Sequence, residues 1–359
     1  MKVLMIGPGR RVRGGVSSVV NTYYELGLDE KVNLAYISTM EDGSKLKKLL
    51  VAIMAYLRFC FKLKDYDIVH VHMAAQASFW RKAFFIRKAK KQGKKIIIHQ
   101  HSGFFIDFFL KETDQKQKQQ IKEIFDMAEH VIVLSKEWAD FFGEYVCDDK
   151  KIITLHNGVV IPESEKTDYS DQNILFLGRL GENKGTYDIL KIIPNVLKKV
   201  PNAMFYFGGD GDVVKCKAIS EKENFAQHVR FLGWMQNTEK EKYLEKCSTY
   251  ILPSYHEAMP MSVLEAMSYG LATISTNTGG IPQIIENGVD GIRIDAGDRE
   301  RLEKTLVELL TDESKRKALG CAGRKKIMKC FNVKSNIETL YQLYLDVCNI
   351  SNSEETRGN

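Results

Sequence analysis

Glu257 and Glu265 lie in the stretch TYILPSYHEAMPMSVLEAMSYGLATISTNTGGIPQIIEN (249–287), with seven residues between them. A carboxylate pair can cleave a glycosidic bond when the carboxyls stand ~5 Å apart for retention or ~6.5–9.5 Å apart for inversion. Glu257 precedes a helix and Glu265 lies about five residues inside it, so at ~1.5 Å of rise per residue the expected separation is nearer ~10 Å. That span suits the two ends of one extended ligand, with the free amides of a helix start between them to hold an anion. Upstream, in NILFLGRLGENKG, Arg179 ends a strand and Lys184 begins a helix. A forked guanidinium and a point-charge ammonium in those positions suit a diphosphate.

Elements able to position these residues follow from the hydrophobic pattern. Around Glu257 the pattern reads strand to Leu252, loop, helix Met261 to Tyr269 with Pro260 in its first turn, a stop at Gly270, and the strand Leu271 to Ser275. The first half alternates strand and helix, with strands expected at 2–6, 32–38, 67–73, 94–101, 130–135 and 151–156. These runs are short, apolar and β-branched, as buried parallel strands are. The fold class is therefore α/β and doubly wound. Asn157-Gly158-Val159 precedes a polar, aperiodic linker. The expected domains are residues 1–162, 163–331, and a crossover helix at 332–350 packing back on the first domain.

PSYHEAMPMSVLEAMSYGLATISTNTGGIPQII resembles the signature of the retaining nucleotide-sugar glycosyltransferases of family 4, whose GT-B fold has two facing Rossmann-like domains. The N-G-V turn, G-R-L…K-G and the glycine pair Gly14-Gly15 resemble that family too. The resemblance implies that Glu257 contacts donor-sugar hydroxyls and Glu265 the ribose. It implies that Arg179, Lys184 and the amides around Ala258, Met259, Met261 and Ser262 take the diphosphate. Gly208-Gly209-Asp210-Gly211 resembles the turn where backbone approaches the nucleotide at Gly209. Gly15 belongs with the donor site, Gly14 and Arg13 with the acceptor side. IIIHQHSGFF resembles a strand-end motif whose His contacts the sugar near its reactive carbon; His101 is the expected residue and His99 competes. His72 and Ser102 are acceptor-side candidates. The implied activity is retaining transfer of a hexose-type sugar to a lipid-linked or glycan acceptor in cell-surface polysaccharide synthesis. A GT-B sugar-nucleotide epimerase or hydrolase and a catalytically silent sugar-nucleotide binder are the alternatives.

Other chemistry is less well supported. Gly7-Pro8-Gly9 followed by Val12 lacks the third glycine of a dinucleotide fingerprint. Asp210-Gly211-Asp212 matches the D-x-D of metal-dependent GT-A enzymes only superficially. His70/His72 and His99/His101 each share a strand face and could bind metal, but no Cys or carboxylate cluster accompanies them. No metal or cofactor is expected. Seven scattered cysteines without a C-x-x-C argue against disulfides or zinc and for a reducing cytoplasm.

Residues 1–160 carry 26 Lys and Arg against 18 Asp and Glu, while residues 161–359 carry 26 against 28. The basic half lacks a nucleic-acid motif, so no nucleic-acid partner is expected; a peripheral contact with an anionic membrane fits better. SKLKKLLVAIMAYLRFCFKLK (44–64) is too short to span a bilayer. It reads either as an interfacial helix or as a helix packed on the sheet. The arginines 10, 11 and 13 are expected to face an anion, and the aromatic run 104–109 reads as a ligand loop or a core plug.

Overall fold

The computed structural model describes residues 1–163, 167–235 and 237–355. The chain forms two compact units, one of residues 1–158 with the segment from Val333 onward, the other Val159–Asn332. The division falls at Gly158, four residues before the position the sequence suggested. Part of the expected linker, 164–166, lies outside the described residues.

In the first unit the strands β1 (Lys2–Gly7), β2 (Asn33–Ser38), β3 (Ile68–Met73), β4 (Lys95–Gln100), β5 (His130–Val133) and β6 (Ile152–Thr154) form one parallel sheet in the order β2-β1-β3-β4-β5-β6. The winding reverses between β1 and β3, which opens a crevice at their C-terminal ends. The helix Val333–Glu355 belongs to this unit. Its Asn336 side-chain amide donates to the His156 carbonyl at 2.5 Å, and Lys31 pairs with its Glu338 at 3.0 Å.

The second sheet contains β7 (Asn173–Leu177), β8 (Met204–Gly208), β9 (Val229–Gly233), β10 (Thr249–Leu252), β11 (Ala272–Thr276) and β12 (Ile292–Ile294). Its order is β12-β11-β10-β7-β8-β9, all parallel, and the reversal falls between β7 and β10. The helix Met261–Tyr269 connects β10 to β11 and ends where Gly270 adopts φ 91°. Pro260 is the N-cap in extended conformation, not a first-turn residue. Arg324, on the helix Glu313–Cys330, ties that helix to the chain end of the unit by donating to the Pro162 carbonyl at 2.7 Å and to the Ser268 carbonyl.

The aromatic run resolves as a core plug. Phe105, Phe108 and Phe109 are buried, and Phe105 stacks on Phe142 with centroids 4.9 Å apart. Only Phe104 is exposed among them. Arg10 is held locally: its guanidinium lies 4.2 Å over the Tyr24 ring and donates to Asn21 Oδ1 at 2.9 Å.

The core of the first sheet is unusually polar. Period-two alternation puts His70 and His72 on one face of β3, and the parallel register sets His72 beside His99 of β4. The four rings of His70, His72, His99 and His101 stack with centroids 4.1–5.5 Å apart. Tyr344 Oη lies 2.6 Å from His70 Nδ1. His70 Nε2, His72 Nε2 and both nitrogens of His99 are buried without a hydrogen-bond partner. Ligand atoms of His70, His72 and His99 lie within 4.8 Å of one another. Stacked imidazoles point their in-plane lone pairs side by side, so holding one ion would require rings to turn. Burial alone pushes His70 down to about 3, and burial together with the neighbouring imidazoles, and Lys82 for His72, holds His72 and His99 well below the ordinary imidazole value. Lys82, 2% exposed with Nζ 2.8 Å from Ser78 Oγ, is lowered by burial, and then by Arg81, to about 7.

Both depressions make the first unit acid-sensitive. The unfolded imidazoles take up protons near pH 6.5. The folded ones resist until far lower, so stability falls as pH drops below about 6.5. His99→Phe should therefore lose less melting temperature than the wild type between pH 7 and pH 5; an unchanged slope in calorimetry would contradict this. For Lys82 the folded state resists the charge, so its cost grows as pH falls from the ordinary lysine value to about 7. Lys82→Met should raise the melting temperature, by roughly 2–4 °C for each kcal/mol recovered, and more at pH 6 than at pH 9.

Candidate functional site

The crevice of the second sheet lies at the ends of β7 and β10, and the loops leaving those two strands carry the residues with chemistry. After β10 the chain runs Pro253 to Pro260. Pro253 meets Gly185, which has φ 67°, so closely that a methyl group on Gly185 would collide with the Pro253 carbonyl. On the other flank Gly279, φ 53°, leaves no room for a Cβ against the Glu257 carbonyl, and the Gly280 N–H donates to the Ala258 carbonyl at 2.5 Å. The Tyr255 N–H donates to the Asn183 carbonyl at 2.9 Å. The loop is thereby fixed through its backbone from two sides.

Within it Glu257 is 9% exposed, and its Oε1 accepts from Lys184 Nζ at 2.5 Å and from Ser254 Oγ at 2.7 Å. Lys184 ends a 3₁₀ turn at Glu182–Lys184, so the helix itself starts one glycine later than the sequence suggested, at Thr186. Arg179 follows β7, exposed and without a hydrogen-bond or ion-pair partner among the described residues. The turn after β8 lies against it: Gly209 packs on the Gly178 carbonyl, the Leu180 N–H donates to the Asp210 carbonyl at 2.6 Å, and Gly211 faces Arg179 Cγ. Asp212 accepts from Tyr187 Oη at 2.5 Å, so its carboxylate already has a structural partner.

Ala258 and Met259 are buried in the floor, and Met261 and Ser262 are half-buried at the helix start, where their N–H groups have no intrahelical acceptor. Glu265, one turn further, accepts from Lys240 Nζ at 2.6 Å. Lys240 was not anticipated; it lies in the polar helix Asn237–Lys246, whose sequence reads as a solvated surface. Tyr250, between the glutamates in the electrostatics, bonds Ser262 and the Leu177 carbonyl.

In the first unit the other candidates cluster at the ends of β1, β3 and β4. Gly14, φ 150°, is the N-cap of the helix Gly15–Glu25, and a side chain at Gly14 or Gly15 would meet nothing within 4 Å. Arg13 is exposed in the same loop. His101 follows β4 and is half-buried, whereas His99 is 1% exposed inside the sheet. Only His101 of this competing pair reaches the rim. His72 is fully buried and its Nδ1 lies 2.8 Å from His101 Nε2, so it stands behind His101 instead of presenting itself to an acceptor. Ser102 Oγ accepts the Phe104 N–H at 3.3 Å. Burial, then the positive potential of His70 and Lys82, brings His101 down to about 3. Lys82 is the second residue not anticipated, hidden in a run, RKAFFIRKAKK, that reads as basic surface.

Residues 159–326 match the model of the glycosyl transferases group 1, and residues 27–161 match that of glycosyltransferase family 4, so that the two adjoin. The UDP-Gal:α-D-GlcNAc-diphosphoundecaprenol α-1,3-galactosyltransferase of Escherichia coli is 25% identical over 89% of this chain and 85% of its own. The 2-deoxystreptamine N-acetyl-D-glucosaminyltransferase of Niallia circulans is 25% identical over 75% and 74%. Among solved structures, sucrose-phosphate synthase from Thermosynechococcus elongatus aligns at TM-score 0.80 with 16% identity over 97% of this chain and 99% of its own. Anabaena HepE in complex with UDP and glucose aligns at 0.77 with 14% identity over 96% and 100%. The chain accordingly belongs to glycosyltransferase family 4 and is a glycosyltransferase of GT-B fold.

Proposed function

We propose that this glycosyltransferase moves a hexose-type sugar from a nucleotide-diphosphate sugar to an acceptor hydroxyl with retention, on a lipid-linked or glycan acceptor of a cell-surface polysaccharide. The observation that carries the donor reading is the contact of Lys184 with Glu257 beside the unpartnered Arg179 and the helix start. A diphosphate at that helix start draws Lys184 to its oxygens and releases Glu257 Oε1 to accept sugar hydroxyls. Arg179, Lys184 and the amides of Met261 and Ser262 then take the charge that develops as the glycosidic bond breaks. Glu265 holds the ribose, with Lys240 orienting its carboxylate. The electron pair of the broken bond leaves on the diphosphate, and the acceptor hydroxyl attacks the oxocarbenium-like carbon from the same face and loses its proton to the departing phosphate. His101, which burial keeps neutral, can offer hydrogen bonds to a hydroxyl at the end of β4 without adding a charge. No metal is required in this reading, because Arg179, Lys184 and the helix dipole supply the positive charge.

The lipid-linked acceptor is supported by the Escherichia coli relative, named as a galactosyltransferase acting on α-D-GlcNAc-diphosphoundecaprenol.

Glu257→Gln and Lys184→Ala should each lower kcat/KM for transfer by ~10²–10³-fold; Glu257→Gln should keep a melting temperature near wild type, whereas Lys184→Ala, which leaves the buried Glu257 carboxylate without its cation, should also lower it. Activity within a few-fold of wild type would remove these assignments. Glu265→Gln should act differently, raising donor KM with little change in kcat, since ribose binding is the same in ground and transition states. A nucleotide-sugar panel in excess chelator should raise the melting temperature selectively for one nucleotide series; a rise that needs added divalent metal would overturn the metal-free reading. Product anomer by NMR tests retention, and nucleotide release without acceptor at the full transfer rate would favour a hydrolase.

A further inference from the structure

The helix Lys45–Lys62 turns its apolar side away from the protein. Ser44 caps it, and only Ala55 and Phe59 are buried, Phe59 packing edge-on to Phe85. Leu46 (67% exposed), Leu57 (64%) and Phe61 (75%) stand outward together with Leu49, Leu50, Ile53 and Met54. At 100° per residue these seven side chains fall in one arc of about 140°, opposite Ala55 and Phe59. The same 18 residues contain Lys45, Lys47, Lys48, Arg58 and Lys62 and no acid. Among neighbouring acids, Glu41 lies 3.8 Å from Lys47. No helix among the described residues is long and apolar enough to cross a membrane.

An apolar stripe ~27 Å long, bordered by cations, has the composition of an interfacial helix. We propose that this face docks the enzyme on an anionic lipid surface, with the leucines and Phe61 in the acyl boundary and the lysines on the headgroup phosphates. Charge decides the occupant. Two copies of the chain pairing through this helix would face cation against cation, whereas an anionic bilayer supplies the opposite charge and an apolar layer together. The docking needs no sugar chemistry, so its failure and that of the transfer reading are separable.

The test is flotation of the full chain with vesicles of phosphatidylcholine, alone or mixed with phosphatidylglycerol. Binding to the mixed vesicles should exceed binding to neutral ones by at least about tenfold and should weaken as salt rises from ~0.1 to ~0.5 M. The double variant Leu57→Asp/Phe61→Asp should lose at least about tenfold in binding while keeping its melting temperature, since both side chains are exposed. The triple variant Lys45→Gln/Lys47→Gln/Arg58→Gln, which removes the cations flanking the stripe, should lose the preference for the anionic lipid. Absence of binding to mixed vesicles, or binding unaffected by Leu57→Asp/Phe61→Asp, overturns the proposal. So does a dimer in sedimentation velocity that this double variant abolishes without any vesicle binding, which would assign the face to a second copy.

Discussion

The candidate donor site depends on backbone meeting backbone where no side chain fits. Pro253 lies against Gly185 and Glu257 against Gly279, and both glycines hold positive φ. These contacts come from three different strand-end loops, those following β7, β10 and β11. A loop is ordinarily the mobile part of a fold. Here the residues before and after Glu257 are both pinned, so the carboxylate is placed by the sheet and not by the loop's own preferences. Glycine is required because any Cβ would push the loops apart and carry Glu257 off Lys184. The topology contributes the other half: β7 and β10 are sequence-distant neighbours across the winding reversal, so their loops diverge and leave the space a ligand needs.

The first unit solves a different problem. Four imidazoles and a lysine sit where hydrocarbon would be more stable, and Tyr344 on the returning helix Val333–Glu355 pairs with Nδ1 of His70. Burial keeps the imidazoles uncharged at neutral pH and brings Lys82 down to about 7, so most of these groups act as hydrogen-bonding and not ionic partners. The bond between His72 and His101 fixes the ring at the rim from behind. A polar core costs stability, and polar groups kept at a strand end are what such a crevice needs for recognition.

Much of this was legible in the sequence. Helix Met261–Tyr269 agrees residue for residue with its apolar spacing, because a helix buried on both sides has little freedom to start or stop elsewhere than at Pro260 and Gly270. The six strands of the first half were found with ends displaced by one or two residues, as β-branched runs mark cores better than edges. Side-chain partners across the sequence were not legible. Lys240 pairs with Glu265 over 25 positions, and nothing local distinguishes it from the other lysines of its helix. Lys82 looked like surface because hydropathy assigns every lysine outward, whereas the helix Ala77–Lys91 must bury one full face against β3 and β4. The phenylalanines 105, 108 and 109 have helical spacing, and their role as a plug depended on Phe79, Phe125 and Phe142, which come from three other helices.

Within the candidate site the charges of Lys184 and Glu257 compensate each other. The carboxylate is nearly out of solvent and the ammonium is about a third exposed. An unpaired carboxylate at that depth would carry a desolvation cost, since among the described residues Ser254 is the other donor to it besides Lys184. The same cation cannot serve two anions fully at 2.5 Å. In the proposed donor reading an arriving diphosphate competes with Glu257 for Lys184, and Glu257 then finds replacement donors in the hydroxyls of a sugar. An anion without hydroxyls offers nothing to the stranded carboxylate, so the geometry couples phosphate binding to sugar binding. On the proposed reading Glu257 acts as an internal stand-in for half of the ligand, and discrimination between a sugar nucleotide and a bare nucleotide would come from one hydrogen-bonded ion pair.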